Sequence, residues 1–158
     1  MTPAGFLKAH NPEIGTGIIK AGYTPGRLAV MDNCPTLENV SAIYGEDTAI
    51  AWLNVQLSTV DLSQGSAGFG DMMLRDIANR IYAIHKRMAV ASLLLFFTLY
   101  RSSEYTDAVK HVGGSFKIFE ALKLYNKRAN DEANRIIHEQ EIEKAYQERL
   151  SWGKRKSN

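Results

Sequence analysis

Met88-Ala89-Val90-Ala91-Ser92-Leu93-Leu94-Leu95-Phe96-Phe97-Thr98-Leu99-Tyr100 is the stretch whose reading decides the fold. It is apolar all round, interrupted only by Ser92 and Thr98, as expected of a helix enclosed by its neighbours rather than laid on a surface. It is far short of the roughly 20 residues that cross a bilayer. The stretch therefore predicts a buried core helix around which the rest of the chain must pack.

The segments on either side supply amphipathic partners for it. From Asp47, Ile50, Leu53, Leu57 and Val60 recur at spacings of three and four, and Trp52 widens that stripe or begins a second contact. Leu74, Ile77, Ala78, Ile81 and Ile84 give a second stripe, introduced by Asp71 as a capping residue, with Arg75, Arg80, Lys86 and Arg87 largely off it. Between the two, Ser63 to Gly70 has three glycines and no periodicity, which predicts a loop. After a polar stretch from Ser102 to Gly114, Ser115 is expected to cap a long final helix. Its stripe begins with Phe116, Ile118, Phe119, Leu122 and Tyr125 and continues through Ala129, Ala133 and Ile136. Beyond Ile137 the composition turns to Glu, Lys, Gln and Arg with few large apolar residues, so the helix should project. Pairs four apart, Arg128 with Glu132, Asp131 with Arg135 and Lys144 with Glu148, would each support it by about 0.2–0.5 kcal/mol.

Upstream of the core the chain is punctuated. Thr2-Pro3, Asn11-Pro12-Glu13 and Thr24-Pro25 each put a capping oxygen before proline at a first helical position, where its missing N–H costs nothing. Pro35-Thr36 opens another run ending near Tyr44, and Gly22 and Gly45 sit where reversals require positive φ. The expected fold is all-α. It is an irregular bundle of about five to seven helices with a long C-terminal helix, in one domain over residues 1–150. Short N-terminal helices (1–45) precede a core (46–137) and a projecting helix (138–150), and a basic tail (151–158) follows. Leu53, Leu57, Ile77, Ile81, Leu94, Phe96, Phe97, Phe119 and Leu122 are the expected core.

Composition narrows the function classes. An apolar share of 45% and a charged share of 23% are those of ordinary globular domains, which argues against global disorder. Cys34 is the only cysteine, so no intrachain disulfide can form, and Met1 to His10 lacks the pattern of a signal peptide; both favour a cytoplasmic protein. The net charge of +2 conceals an uneven distribution. Residues 1–74 carry three basic and seven acidic side chains, residues 75–128 ten and four, and residues 129–158 six and six.

No pattern of reacting groups emerges. Gly65, Gly68 and Gly70 do not match G-x-G-x-x-G and lack the Lys-Ser/Thr of a phosphate loop. His10, His85, His111 and His138 have no spacing that pairs two on one helical face, and Cys34 has no near partner. A G-x-S-x-G turn is missing, and Glu139, Glu141, Glu143 and Glu148 interleave with Lys144 and Arg149 as a solvated helix requires. The expectation is no catalytic, cofactor or metal residue and no cofactor. The candidate contacts for nucleic acid or an acidic partner are Arg75, Arg80, Lys86, Arg87, Lys117, Lys123, Lys127 and Arg128. If they converge they could neutralise phosphates, with no motif for base reading beside them.

From Ala51 to about Glu141 the order of features resembles a group of small helical proteins of bacterial phages and conjugative elements. The features are Trp52-Leu53, Ile77-Ala78 with Ile81, Leu95-Phe96-Phe97, a loop containing Tyr105, and an amphipathic helix from Phe119 to Arg128. That group is similar in outline to phage replication proteins that load or regulate a replicative helicase. The family loop contains Gly-Lys/Arg-Tyr-Gly, whereas this chain has Ser102-Ser103-Glu104-Tyr105-Thr106 and keeps only the tyrosine. The resemblance implies a non-enzymatic adaptor in replication, with a helicase as partner and Tyr105 in a partner-facing loop. Two alternatives stand beside it: a structural or regulatory homo-oligomer assembled through the C-terminal helix, and a nonspecific DNA-binding accessory protein. No membrane association is expected.

Overall fold

The computed structural model describes residues 1–63 and 70–156. Eight α-helices cross them, and among the described residues there is no strand, only an isolated antiparallel bridge between Thr36 and Ala89. The helices are α1 (Pro3–Ala9), α2 (Ile14–Lys20), α3 (Pro25–Ala29), α4 (Leu37–Tyr44), α5 (Glu46–Ser63), α6 (Asp71–His85), α7 (Val90–Arg101) and α8 (Phe116–Lys156). The all-α bundle with a long C-terminal helix is as expected. The count exceeds the expected five to seven because each N-terminal cap starts a separate short helix.

The apolar stretch is α7, and it lies at the centre. Val90 and every residue from Ser92 to Phe97 are buried, with α2, α3, α5 and α8 packed around them. Burying a Leu or Phe side chain stabilises by about 1.5–3 kcal/mol, so this one run supplies a large part of the driving force. Phe96 is its focus: the rings of Phe97, Tyr100, Tyr105 and Tyr125 lie 5.2, 5.9, 5.8 and 5.7 Å from it, those of Phe97 and Tyr125 edge-on. The start of α7 is tied to the start of α4, where Val90 N–H donates to Pro35 O at 2.8 Å and Leu37 N–H donates to Met88 O at 3.1 Å.

Capping signals translate into helix starts with small shifts. Thr2 and Thr24 oxygens accept from the backbone N–H groups of Gly5 and Arg27, and Thr36 with Asn39 forms a reciprocal capping box. Asn11 Oδ1 accepts from Glu13 N–H, but α2 begins only at Ile14. At α6 the cap is Gly70, with φ 78°, and Asp71 lies inside the first turn without a capping hydrogen bond. Gly22 and Gly45 have the expected positive φ. The expected glycine loop of residues 63–70 falls mostly on residues outside those described.

Several apolar residues differ from their expected places. Ile84 and Phe116 are exposed, and Phe119 is half-buried at the rim of the core. The buried stripe of α8 keeps the expected Ile118, Leu122, Tyr125, Ala129 and Ala133 and gains Ala121, with the small Ala129 and Ala133 towards the end on which α3 packs. Arg128 and Glu132 do not pair, because Glu132 turns to α3 and Arg128 lies over the Tyr105 ring. The helix also continues through Lys156, so residues 151–156, expected as a tail, are its last turns.

Candidate functional site

Helices of five to seven residues are marginal by themselves, since nucleation consumes most of what so few hydrogen bonds return. Each short N-terminal helix is held by its own polar lock. Trp52, fully buried on α5, donates its indole N–H to His10 O at the end of α1 at 2.8 Å, and Gln56 Nε2 adds a longer bond to the same oxygen at 3.4 Å. Phe6 stacks on His10 and packs against Tyr44. Arg101, at the end of α7, donates to Pro12 O at 3.3 Å, to Thr59 Oγ1 at 3.0 Å and to Thr98 Oγ1 at 3.2 Å; its partial burial lowers the guanidinium pKa. α3 is clamped by Glu132, which accepts from the Thr24 hydroxyl and, at 2.8 Å, from Gly26 N–H. These locks make residues 1–36 part of the body.

The candidate cations fall into separate groups around the bundle. Arg80 lies over the Phe119 ring at 5.2 Å, and Arg87 lines a shallow cleft beside Asn126 and Asn130. Lys123, paired with Glu120 at 3.3 Å, and Lys127 face outward on α8. Arg128 covers Tyr105 at 5.8 Å, about a third of a turn round α8 from Lys123 and Lys127, with Lys117 on its side. Arg75 lies in a groove between α5 and α6 that also contains Asp47, and Lys86 is exposed at the end of α6. Arg80, Arg87, Lys123 and Lys127 thus border one flank of α8, apart from Lys117 and Arg128 on its other side and from Arg75 between α5 and α6.

Tyr105 is not presented to a partner. Its side chain is 3% exposed, packed on Phe96, and burial pushes its phenol up to about 12, partly offset by Arg128 and reinforced by Glu104. The loop residue anchors residues 102–115 onto the core, together with buried Val109. Tyr125 is also raised by burial, with Ser92 drawing its pKa back down, and its hydroxyl makes no hydrogen bond of normal geometry. Tyr125 and Ser92 line the cleft of about 290 Å³ between α3, α7 and α8, together with Cys34 and Arg87. No nucleophile with an activating base meets there. Among the described residues no group of three His, Cys, Asp or Glu side chains is disposed to hold a metal, and no helix is long and apolar enough to cross a membrane.

What the bundle leaves bare is the far end of α8. Ala133 is the last buried residue, and every residue from Ile137 to Lys154 is exposed. At 1.5 Å per residue the overhang from Ile137 to Lys156 is about 30 Å long. On it Ile142, Tyr146 and Leu150, spaced four apart and therefore on one side, are 57%, 53% and 45% exposed. Trp152 is exposed nearby, lining a shallow depression with Ala145, Glu148 and Arg149. The composition of this segment predicts a projecting, solvated helix and a route to self-assembly, and the four-residue spacing of Ile142, Tyr146 and Leu150 is the signal that singles out its stripe. No family model, curated protein or solved structure matches the chain.

Proposed function

We propose that the protein is a non-enzymatic interaction module whose projecting C-terminal helix is the docking element. The observation that carries this reading is the overhang itself, about 30 Å of helix displaying Ile142, Tyr146 and Leu150 to water. Isolated exposed apolar residues are ordinary, but a row of them on an element that covers nothing in its own fold marks a surface made for contact. A helix presented this way docks by laying its apolar stripe in a groove or against another helix. A role as a replication accessory or helicase-loader-like adaptor of a phage or mobile element is supported by the order of hydrophobic features from Ala51 to Glu141 alone. Nonspecific DNA binding has less to support it, since Arg75, Lys117 and Arg128 lie away from the flank of α8 that Arg80, Arg87, Lys123 and Lys127 border, and Lys123 is already paired with Glu120.

The test is nuclease-treated affinity purification of the tagged full chain from its native cell, beside an Ile142→Glu, Leu150→Glu variant. Both positions are exposed, so the variant should keep its helical circular dichroism. A protein recovered with the wild type and lost with the variant is the expected result. Identical recoveries would remove the docking role, and substrate turnover by the purified chain would remove the non-enzymatic one.

A further inference from the structure

The charges on the overhang are segregated along its length. Residues 137–143 contain Glu139, Glu141 and Glu143 and no Lys or Arg, whereas residues 144–154 contain Lys144, Arg149 and Lys154 against Glu148 alone. The apolar stripe is symmetric in sequence about Tyr146, with Ile142 four residues before it and Leu150 four after. We propose that the occupant of this face is a second copy of the same chain, laid antiparallel with a twofold axis at Tyr146. The proposal rests on the docking reading above and names the partner.

Three features point to this arrangement. About such an axis Ile142 of one chain is level with Leu150 of the other and Tyr146 with its own copy, so one stripe covers itself in an isologous contact. The acidic half of each overhang then lies along the basic half of its partner; parallel pairing would set Glu139–Glu143 beside the same acids well within the Debye length of about 8–10 Å. Finally, an axis at Tyr146 brings residue 136 level with residue 156 of the partner. The span of each α8 beyond Ala133, the last buried residue, therefore lies against the same exposed span of the other. A two-helix contact of this length is at the small end of specific interfaces, so the dimer is concentration-dependent.

Sedimentation equilibrium of the full chain over a range of concentrations should move from the monomer mass of 17.6 kDa towards twice that value. Leu150→Glu should raise the dissociation constant about a hundredfold or more, since the twofold axis counts each lost contact twice. The geometry is read by oxidising a mixture of Ile142→Cys and Leu150→Cys chains in a Cys34→Ser background. A disulfide joining position 142 to position 150 is the expected product. A chain that stays monomeric overturns the proposal, as does a dimer insensitive to Leu150→Glu or a 142-to-142 product dominating the mixture. If a monomeric chain still captures a different protein through the overhang, the docking role stands and the second copy as its partner does not.

Discussion

Gly26→Ala inverts an ordinary expectation. In most helical positions replacing glycine by alanine stabilises by up to about 1 kcal/mol, through propensity and a less flexible unfolded chain. Gly26 is the second residue of α3, is buried, and lies against α8, where an added Cβ would overlap Cβ and Cγ of Glu132. Overpacking of this kind costs about 1–3 kcal/mol. Displacing Glu132 would also weaken its hydrogen bonds to Gly26 N–H and the Thr24 hydroxyl, each worth about 1.5–3 kcal/mol for a charged acceptor. After subtracting the propensity gain, the net loss is about 1–4 kcal/mol, and at about 2–4 °C per kcal/mol for a domain of this size the melting temperature should fall by several degrees. Urea unfolding would measure it, with Gly17→Ala as control, because nothing lies within 4 Å of a Cβ there and that change should be neutral or stabilising. In a Glu132→Gly background the cost of Gly26→Ala should shrink, since Cβ, Cγ and Oε1 of Glu132, the atoms that obstruct it, are gone. A Gly26→Ala protein as stable as the wild type would refute the packing argument.

Trp52→Phe removes the indole N–H from His10 O and leaves that carbonyl only the longer bond from Gln56, for a loss of about 1–3 kcal/mol. Hydrogen exchange in α1 and α2 should quicken more than in α6, and equal protection throughout would count against the lock. Alkaline pH should destabilise the fold through the phenols around Phe96. Tyr100, Tyr105 and Tyr125 are all raised by burial above the ordinary value of 10, Tyr105 to about 12, so from pH 10 upward the unfolded state loses protons that the folded state retains. Stability from these groups is full below pH 10 and falls as pH rises through that window. Denaturant midpoints measured beside tyrosinate absorbance should fall together with ionisation, whereas a flat midpoint to pH 12 would show that the rings titrate without loss of packing.

The elements that could be read from the chain are those governed by neighbours in sequence. The apolar run from Val90 to Phe97 announced a buried helix because no polar stripe is available to face water. Thr2, Thr24 and Thr36 announced helix starts because capping is satisfied within three residues, and the composition change after Ile137 announced a projecting helix. Tertiary structure alone decided the rest. Whether Tyr105 faces a partner or Phe96, whether Glu132 pairs with Arg128 or clamps Gly26, and whether Arg80, Arg87 and Arg128 share a face all depend on which helix lies opposite. Those choices are set by packing between segments up to 108 positions apart. Local propensity has no access to them, since a side chain's burial and hydrogen-bond partner depend on the surface it meets. The overhang lies between the two cases: the spacing of Ile142, Tyr146 and Leu150 was in the sequence, but only a bundle that ends at Ala133 leaves the stripe uncovered.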